Sequence, residues 1–522
     1  MAAAPSPANT FGLRSARQAL LVIHGIGEQN PYETLDSFSR GVLNYLSQAR
    51  HLNTRLCPIE IAHKDWTQVG MRIGVFPPGH GLPECPVKDQ PMNPDQQPAV
   101  YVDIFEYYWA PETEDKLSAI ETVKWVLKTD FTPLRYFADN LQEMISLYRL
   151  SVHRAVWRAL ELSGRELLRV FLLYFWLAFG AGLLLEWISR PHDWGTALQP
   201  LAVALLPYLT LTHSLILVLY GGFLLMAWFA VQSLIELSQH PGRPIQPTPE
   251  KISLALDIVL AAAFLTLALA WDFHSENRVL EHLWNIVTRD GRWQPLVGAT
   301  LSALASYALT AYVADIAVYT NIDAKSKSYA ARNAILNGSS AALKYLLTCG
   351  DYGRVILAGH SLGSVIAYDT INELLAQYNA APGPGVDRPD PNVTLEQLHT
   401  LKGLVTFGSP LDKVYYFFRE HVRRDQSIRA QILSMLHSFR KLPSGRDYGI
   451  FDFNYAFRQL DSCPEPFLWL NAWSRLDPVS AELKFYFVND QREFHYAVPV
   501  LAHLSYWSDP AFYDYLGAGL LF

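Results

Sequence analysis

Four long apolar stretches occupy the middle of the chain. Each can supply the roughly 20 residues that an α-helix needs to cross the hydrocarbon layer of a membrane. The second stretch is interrupted by Pro207 and the polar residues after it, so we expect one full span there. The pattern predicts about four transmembrane helices: Leu167–Ile188, one near Ser214–Leu234 within Leu201–Leu237, Ile252–Trp271 and Leu296–Tyr319. The alternative is a set of buried helices in a large helical domain.

The segments on either side of this block alternate between strand-like and helix-like patterns. Short apolar or alternating runs predict these strands: Ala19–Ile23, Val100–Tyr108, Arg354–Ala358, Gly403–Phe407, Phe467–Asn471 and Lys484–Val488. A helical period predicts three helices: Tyr32–Ser47, Ala324–Leu347 and Gly363–Leu375. Such alternation is typical of an α/β fold with a mostly parallel sheet. We predict that residues 1–160 and 321–522 form the two parts of one α/β domain, with a membrane domain, 161–320, inserted between them.

Composition narrows the class of protein. Hydrophobic residues make up 50% of the chain and charged residues 17%, which agrees with a membrane-bound portion. The formal net charge of −7 provides no basic field, so we expect no nucleic-acid partner. The cysteines are far apart and include no C-x-x-C pair, which argues against a zinc site and a disulfide-framed domain. We expect four structural thiols: Cys57, Cys85, Cys349 and Cys463.

The strongest chemical signal is the sequence GHSLG at residues 359–363. It satisfies the G-x-S-x-G pattern and lies between a predicted strand and a predicted helix, which is the context of a nucleophile elbow. The strained turn at such a serine requires small neighbours, and Gly359 and Gly363 supply them. We predict that Ser361 is the nucleophile of an α/β-hydrolase fold; the alternative is an ordinary tight turn.

A second motif, HGIG at residues 24–27, follows the first predicted strand. In acyl-transfer hydrolases such a loop donates one backbone N–H to the oxyanion, together with the N–H of the residue after the serine. We expect the first donor to be Ile26 or Gly25 and the second to be Leu362. The motif uses its backbone, so we expect the imidazole of His24 to be structural.

The serine needs a histidine base oriented by a carboxylate, and in this fold both follow the serine along the chain. Asp477 follows a predicted strand, where the acid belongs, and His503 lies beyond the last predicted strand. We predict that these two complete the triad. The alternatives are Asp412 for the acid and His495 for the base. Two further histidines, His421 and His437, come before Asp477, whereas the expected chain order places the base after the acid.

Several sequence blocks resemble those of a known family. HGIG, GHSLGSVIAYD, FGSPLD and the pair DPVS with AHLSYW are similar to blocks of intracellular DDHD-domain phospholipases, and more loosely to other lipase-like α/β hydrolases. The resemblance implies Ser361, Asp477 and His503 as the triad and glycerolipid esters as the substrate class. It covers a minority of the chain, and FGSPLD continues with KVYYFF, where the family usually differs.

The side of the membrane follows from topology and charge. The strands before HGIG and before GHSLG must share one sheet, so an even number of spans must separate them; four satisfy this and five do not. The flanks on the hydrolase side carry more Lys and Arg than the opposite loops, which predicts a multi-pass protein with a cytoplasmic catalytic domain. The absence of an apolar signal core near the N-terminus and the unpaired cysteines agree with this.

These features predict a membrane-embedded serine hydrolase that cleaves lipid esters through an acyl-enzyme, without metal or organic cofactor. Its expected partners are a lipid or membrane-derived ester substrate and the bilayer. The same triad would serve a thioesterase or a deacylase of a lipidated protein or glycolipid. A third possibility is a non-catalytic membrane scaffold with a hydrolase fold.

Overall fold

The computed structural model divides the chain into two compact units. The first consists of Met1–Leu117, Asp315–Pro443 and Tyr448–Phe522. The second consists of Ser118–Ala314 and Ser444–Asp447 and lies almost wholly outside the described residues. The structure describes residues 11–25, 30–63, 66–79, 82, 85, 98, 100–113, 258–259, 262–263, 265–267, 319, 327–379, 393–414, 439–440, 460, 463 and 465–522 without 478, 485 and 497–498.

Strands and helices alternate along the described residues. The strands are β1 (Arg17–Ile23), β2 (Asn53–His63), β3 (Trp66–Phe76), β4 (Val100–Tyr107), β5 (Arg354–His360), β6 (Leu401–Phe407), β7 (Leu468–Trp473) and β8 (Asp490–Glu493). The helices are α1 (Glu33–Asn44), α2 (Lys327–Thr348), α3 (Leu362–Asn379), α4 (Leu395–Leu398), α5 (Leu411–Lys413), α6 (Pro499–Ser505) and α7 (Pro510–Leu516). The chain also forms four short 3-10 or π turns in the described residues: Tyr45–Ala49, Ala110–Glu112, Tyr506–Ser508 and Gly517–Leu521.

The strands described form one sheet in the order β2-β3-β4-β1-β5-β6-β7-β8. The pairs β2–β3 and β3–β4 are antiparallel, and every other neighbouring pair is parallel. The prediction of an α/β fold with a mostly parallel sheet is therefore confirmed. Because β1 lies between β4 and β5, the two ends of the chain build a single sheet.

The central strands are apolar because helices cover them. All seven residues of β5 and of β6 are buried, as is typical of parallel strands between two helical layers. Alternate residues of β1 and β5 join a core cluster with Phe38 of α1 and Phe512 of α7. The residues between them point to the other face. Helix α3 packs on β1, β5 and β6, and α2 packs on α3.

The hairpin of β2 and β3 is the main part of the sheet that the pattern did not predict. Pro58 lies within β2, and its missing N–H is tolerated because β2 lies at the edge of the sheet. Gly70 in β3 lies under an aromatic ring, since a Cβ there would come within 2.5 Å of the Phe105 side chain. Arg72 of β3 makes a bidentate ion pair of 2.7 Å with the buried Asp103 of β4.

The predicted strand Lys484–Val488 is wrong; the last strand is β8. Side chains satisfy the backbone where that strand was expected to begin. Gln491 exchanges two hydrogen bonds of 2.8 Å with the backbone of Leu483, and the Lys484 N–H donates to Asp412 at 2.8 Å. The apolar run instead buries Tyr486 against Trp469. Burial on one face therefore does not require a strand here.

The expectation of four free thiols is wrong for one pair. Cys57 in β2 and Cys85 form a disulfide with a Cα–Cα distance of 5.4 Å, while Cys349 and Cys463 are free. The bridge ties β2 to the Pro- and Gly-rich segment after β3. A separation of 28 residues carries no motif from which this pairing could be predicted.

The predicted membrane domain receives no support from the described residues. Among them, no helix combines the length and the apolar character that a membrane crossing requires. The four predicted spans lie almost wholly outside the described residues, and so do the proposed boundaries at residues 160 and 320. The spans and their number stay predictions.

Candidate active site

Ser361 occupies a sharp turn between β5 and α3. Its backbone is left-handed, with φ of 51°, which is uncommon for a residue other than glycine. A Cβ on Gly359 would lie 2.5 Å from the Gly363 carbonyl oxygen, and one on Gly363 would lie 2.2 Å from the carbonyl oxygen of Ile23. Both positions therefore require glycine. This is the geometry that the G-x-S-x-G pattern predicted for a nucleophile elbow.

Asp477 and His503 form a buried acid–base pair. Nδ1 of His503 lies 3.0 Å from both carboxylate oxygens of Asp477, although 26 residues separate the two in sequence. Their exposures are 4% for His503 and 1% for Asp477. Because an ionised carboxylate only accepts hydrogen bonds, Nδ1 carries a proton, and in the neutral ring Nε2 therefore has the lone pair. His503 is therefore held in the tautomer that a general base requires.

The surroundings of Asp477 keep it ionised. Burial alone would raise the pKa of its carboxyl, but hydrogen bonds from His503, Val479 N–H and Ser480 N–H hold the pKa well below its usual range. The Tyr506 hydroxyl donates to the other carboxylate oxygen at 3.2 Å. Asp477 is thus both charged and fixed in orientation, as the acid of a triad must be.

Ser361 and His503 both lie against the turn after β6. The Ser361 N–H donates to the Phe407 carbonyl at 3.0 Å, and a Cβ on the next residue, Gly408, would lie 3.1 Å from Cε1 of His503. Oγ of Ser361 and Nε2 of His503 are buried, and neither is hydrogen-bonded to the other or to any other described residue. Catalytic hydrogen bonds often tighten only when substrate binds. The two atoms keep free the donor and the acceptor that proton transfer needs.

The alternative acid and base have other surroundings. Asp412 accepts the Lys484 N–H at 2.8 Å. The side chain of His495 is 85% exposed and lies 3.9 Å from Glu493. His421 and His437 lie outside the described residues. Of the candidates described, the structure brings together Ser361, Asp477 and His503.

Two of the three predicted oxyanion-hole residues lie beside Ser361. A Cβ on Gly25 would lie 2.7 Å from Cβ of Ser361, so the HGIG loop passes directly over the serine. Leu362 is the first residue of α3, and an N–H in the first helical turn has no acceptor within its own helix. Ile26 lies outside the described residues, and its role as a donor stays a prediction.

His24 has the structural role that we expected. Its Nδ1 donates to the Gly25 carbonyl at 2.8 Å, and its Nε2 accepts the Trp109 N–H at 3.1 Å. One neutral tautomer satisfies both bonds, and burial lowers the pKa of His24 to about 4. The ring also stacks on Trp109 with a centroid distance of 4.9 Å. His24 thereby anchors the start of the HGIG loop to the end of β4.

His360 is a part of the site that sequence reasoning missed. Its Nε2 donates to the His503 carbonyl at 2.9 Å, and the two imidazole rings lie 4.7 Å apart. Phe407 and Trp507 enclose the same ring. Burial and the neighbouring His503 lower the pKa of His360 to about 3, so the ring is neutral. The motif treats this position as variable, so only the presence of an imidazole beside the serine could have suggested a role.

The described residues provide a candidate nucleophile, a candidate base and an ionised acid. Gly25 lets the backbone of the HGIG loop pass close to Ser361. Among these residues there is no cluster of three or more His, Cys, Asp or Glu side chains that could hold a metal ion. The arrangement is suited to attack on a carbonyl carbon with general-base assistance from His503.

No profile of a known protein family matches the chain, and no curated protein or solved structure shows significant similarity to it. The resemblance to DDHD-domain phospholipases therefore rests on the sequence blocks alone. The geometry of Ser361, Asp477 and His503 carries the functional argument.

Proposed function

We propose that this chain is a serine hydrolase of the α/β-hydrolase fold that cleaves lipid esters. The observation that carries the proposal is the pairing of Asp477 with Nδ1 of His503, at the edge of the sheet where Ser361 occupies its strained turn. An ionised acid, a correctly protonated histidine and an unpaired serine hydroxyl rarely converge without a catalytic use. The same convergence argues against a non-catalytic scaffold.

In the proposed reaction, Ser361 Oγ attacks the ester carbonyl while Nε2 of His503 takes its proton. Asp477 stabilises the imidazolium that forms and keeps the ring oriented. The backbone N–H of Leu362 and a donor from the HGIG loop bind the developing oxyanion. His503 then protonates the leaving alcohol, and a water molecule, activated by the same histidine, releases the acyl group from Ser361.

The lipid substrate and the membrane location belong to the same proposal. The apolar stretches between residues 161 and 320 supply four transmembrane helices, and the motif blocks resemble those of phospholipases. The charge bias of the flanks supports a cytoplasmic catalytic domain. The Cys57–Cys85 disulfide removes the support that free cysteines gave to that location, because disulfides are rare in the cytosol.

Labelling with a fluorophosphonate probe tests the enzyme class. Such probes react with an activated serine, so we expect the full-length protein to be labelled and the Ser361→Ala variant to remain unlabelled. Ser339→Ala is the matched control, because Ser339 is also buried but hydrogen-bonds to Thr370 in the α2–α3 interface. Unlabelled wild-type protein, or equal labelling of Ser361→Ala, would contradict the proposal.

Product analysis tests the substrate class. The detergent-solubilised protein is incubated with a total lipid extract, with acyl thioesters and with a lipidated peptide, each with Ser361→Ala as the blank. We expect free fatty acid from the lipid extract at a rate well above that from the other two. Faster release from the thioester or from the lipidated peptide would instead identify a thioesterase or a deacylase.

A further inference from the structure

Lys402 and Cys463 form a close pair at the amino ends of the strands, away from the candidate active site. Nζ of Lys402 lies 2.8 Å from Sγ of Cys463. Hydrogen bonds from N–H to oxygen span about 2.7–3.2 Å, and sulfur is the larger acceptor. The separation is therefore short for a hydrogen bond between an ammonium group and a thiol.

The fold holds both side chains in this position. Lys402 lies in β6 and is 8% exposed, and its Nζ also donates to the Glu465 carbonyl at 3.4 Å. Cys463 follows Leu460 in a backbone turn and its thiol donates to the His399 carbonyl at 3.8 Å. Cys463 is partly exposed, so a small oxidant can reach its sulfur while the amine stays in place.

We propose that Lys402 and Cys463 are a modification site, at which a peroxide forms a covalent bridge from Nζ through one oxygen atom to Sγ. The first hydrogen peroxide oxidises the thiol to a sulfenic acid and releases one water. A second hydrogen peroxide takes up the sulfenic O–H hydrogen and one hydrogen of the neutral amine, and two waters leave. The N–O bond forms, the S–O bond is kept, and the extra proton of the ammonium form passes to solvent.

The geometry favours a bridging oxygen over a direct sulfur–nitrogen bond. Two single bonds through an oxygen atom span a separation close to the one observed, whereas a direct bond requires the two atoms to approach much further. Lys402 is held within β6, which limits such movement.

The surrounding charges tolerate the loss of the lysine cation. Glu465 lies 3.8 Å from Nζ of Lys402. The same carboxylate is paired with the buried Arg354 and lies 3.5 Å from Arg14. When the bridge neutralises Lys402, Glu465 keeps two cationic partners and is not left as an unpaired charge.

Peptide mass spectrometry of the full-length protein tests the bridge. The purified protein is treated with hydrogen peroxide, free thiols are blocked, and the protein is digested. We expect the peptides containing residues 402 and 463 to be joined, with the mass of both plus one oxygen and minus two hydrogens, and to separate on treatment with dithiothreitol. A joined pair without the oxygen, or Cys463 recovered only as thiol, sulfinic or sulfonic acid, would overturn the proposal.

Variants provide the controls. Lys402→Arg keeps the positive charge and Cys463→Ser keeps the size, and each should abolish the joined peptide. Cys349 is the matched free cysteine of similar exposure; its thiol donates to the Leu346 carbonyl at 3.5 Å. Cys349→Ser should leave the yield of the bridge unchanged. Bridges from Cys349 to lysines in similar yield would show indiscriminate oxidation and contradict a built site.

Discussion

The contact between Asp477 and His503 leads to a prediction about the tautomer of the base. In Asp477→Asn, the amide can donate to Nδ1 of His503, which moves the ring proton to Nε2 and leaves no acceptor for the Ser361 hydroxyl. We expect kcat for ester hydrolysis to fall by roughly 10⁴-fold, since this is the cost of the wrong tautomer in a serine triad. Steady-state hydrolysis of a chromogenic ester measures it.

Asp412→Asn is the control for this substitution. Asp412 is also buried, but its amide oxygen can still accept the Lys484 N–H, so this hydrogen bond is kept and we expect kcat to change less than about twofold. If Asp412→Asn lost as much activity as Asp477→Asn, the choice of acid would be wrong.

A second prediction at the residue scale concerns His360, whose imidazole donates a hydrogen bond to the backbone carbonyl of His503. His360→Leu removes the hydrogen bond to the His503 carbonyl, which costs about 0.5–1.5 kcal/mol. We expect that loss to appear as a lower kcat at nearly unchanged KM, because the base is displaced and the binding surface is not. His360→Gln, which can place a donor near the former Nε2, should restore part of kcat. Equal activity of both variants would contradict this.

At the residue scale, the sequence supports a prediction where chain order and a motif define the role. The G-x-S-x-G pattern and the order serine, acid, histidine led to Ser361, Asp477 and His503, which the structure brings together. His360 could not be found in this way, because its role depends on a contact with a carbonyl that lies 143 residues further along the chain.

At the scale of elements, α1 depends on a carboxyl group from a neighbouring strand. The residue before α1, Tyr32, has φ of 71° and its side chain makes no capping hydrogen bond. Instead Glu106 of β4 accepts the Leu35 N–H, in the first turn of the helix, at 3.3 Å. This fixes the helix that follows the HGIG loop. Burial raises the pKa of Glu106 to about 7.

This raised pKa predicts a pH-dependent stability. Glu106 is protonated in the folded protein up to about pH 7 but ionises in the unfolded chain above about 4.5. Its contribution is therefore complete below pH 4.5 and is lost as the pH rises through 7, by up to about 3 kcal/mol. Glu106→Gln removes this dependence, so we expect its unfolding temperature to rise relative to wild type between pH 4.5 and 7.5.

Comparing the unfolding temperatures of Glu106→Gln and wild type at each pH separates the effect of Glu106 from that of His24. His24 has a lowered pKa, so its contribution has the opposite sign: it is present above pH 6.5 and is lost as the pH falls towards 4. That contribution is common to both proteins and cancels in the difference between Glu106→Gln and wild type. A difference in unfolding temperature that stayed constant with pH would show that Glu106 does not titrate in this range.

The elements that the pattern failed to predict have physical causes. In β2 and β3, Pro58 and Gly70 interrupt the alternation, and each is acceptable only because of its place in the finished sheet. In Lys484–Val488 the apolar run is present, but hydrogen bonds to the side chains of Gln491 and Asp412 replace a strand partner at the start of the segment. Pattern alone cannot distinguish these cases, since both depend on partners distant in sequence.

At the scale of the whole molecule, the register of β1 with β5 limits how the chain can cross a membrane. Gln18–Ile23 pairs directly with Arg354–Gly359, so these two strands must lie on the same side of any membrane that the residues between them cross. An even number of spans follows from this pairing for any set of crossings between residues 107 and 354. The sequence predicted that β1 and β5 share one sheet, but the position and number of the spans rest on hydropathy alone.

This pairing predicts the outcome of a protease-protection experiment. One cleavage site is inserted after Gly79 and another after Gly350, two turns in which a Cβ would meet no other atom within 4 Å. In sealed vesicles of known orientation, we expect both sites to be cut from the same side, because β1 and β5 cannot pair across a bilayer. The charge bias of the flanks predicts that this is the cytoplasmic side. Cleavage of the two sites from opposite sides would contradict the shared sheet in the membrane-bound protein. Cleavage of both sites from the non-cytoplasmic side would contradict only the predicted orientation, and it would agree with the Cys57–Cys85 disulfide.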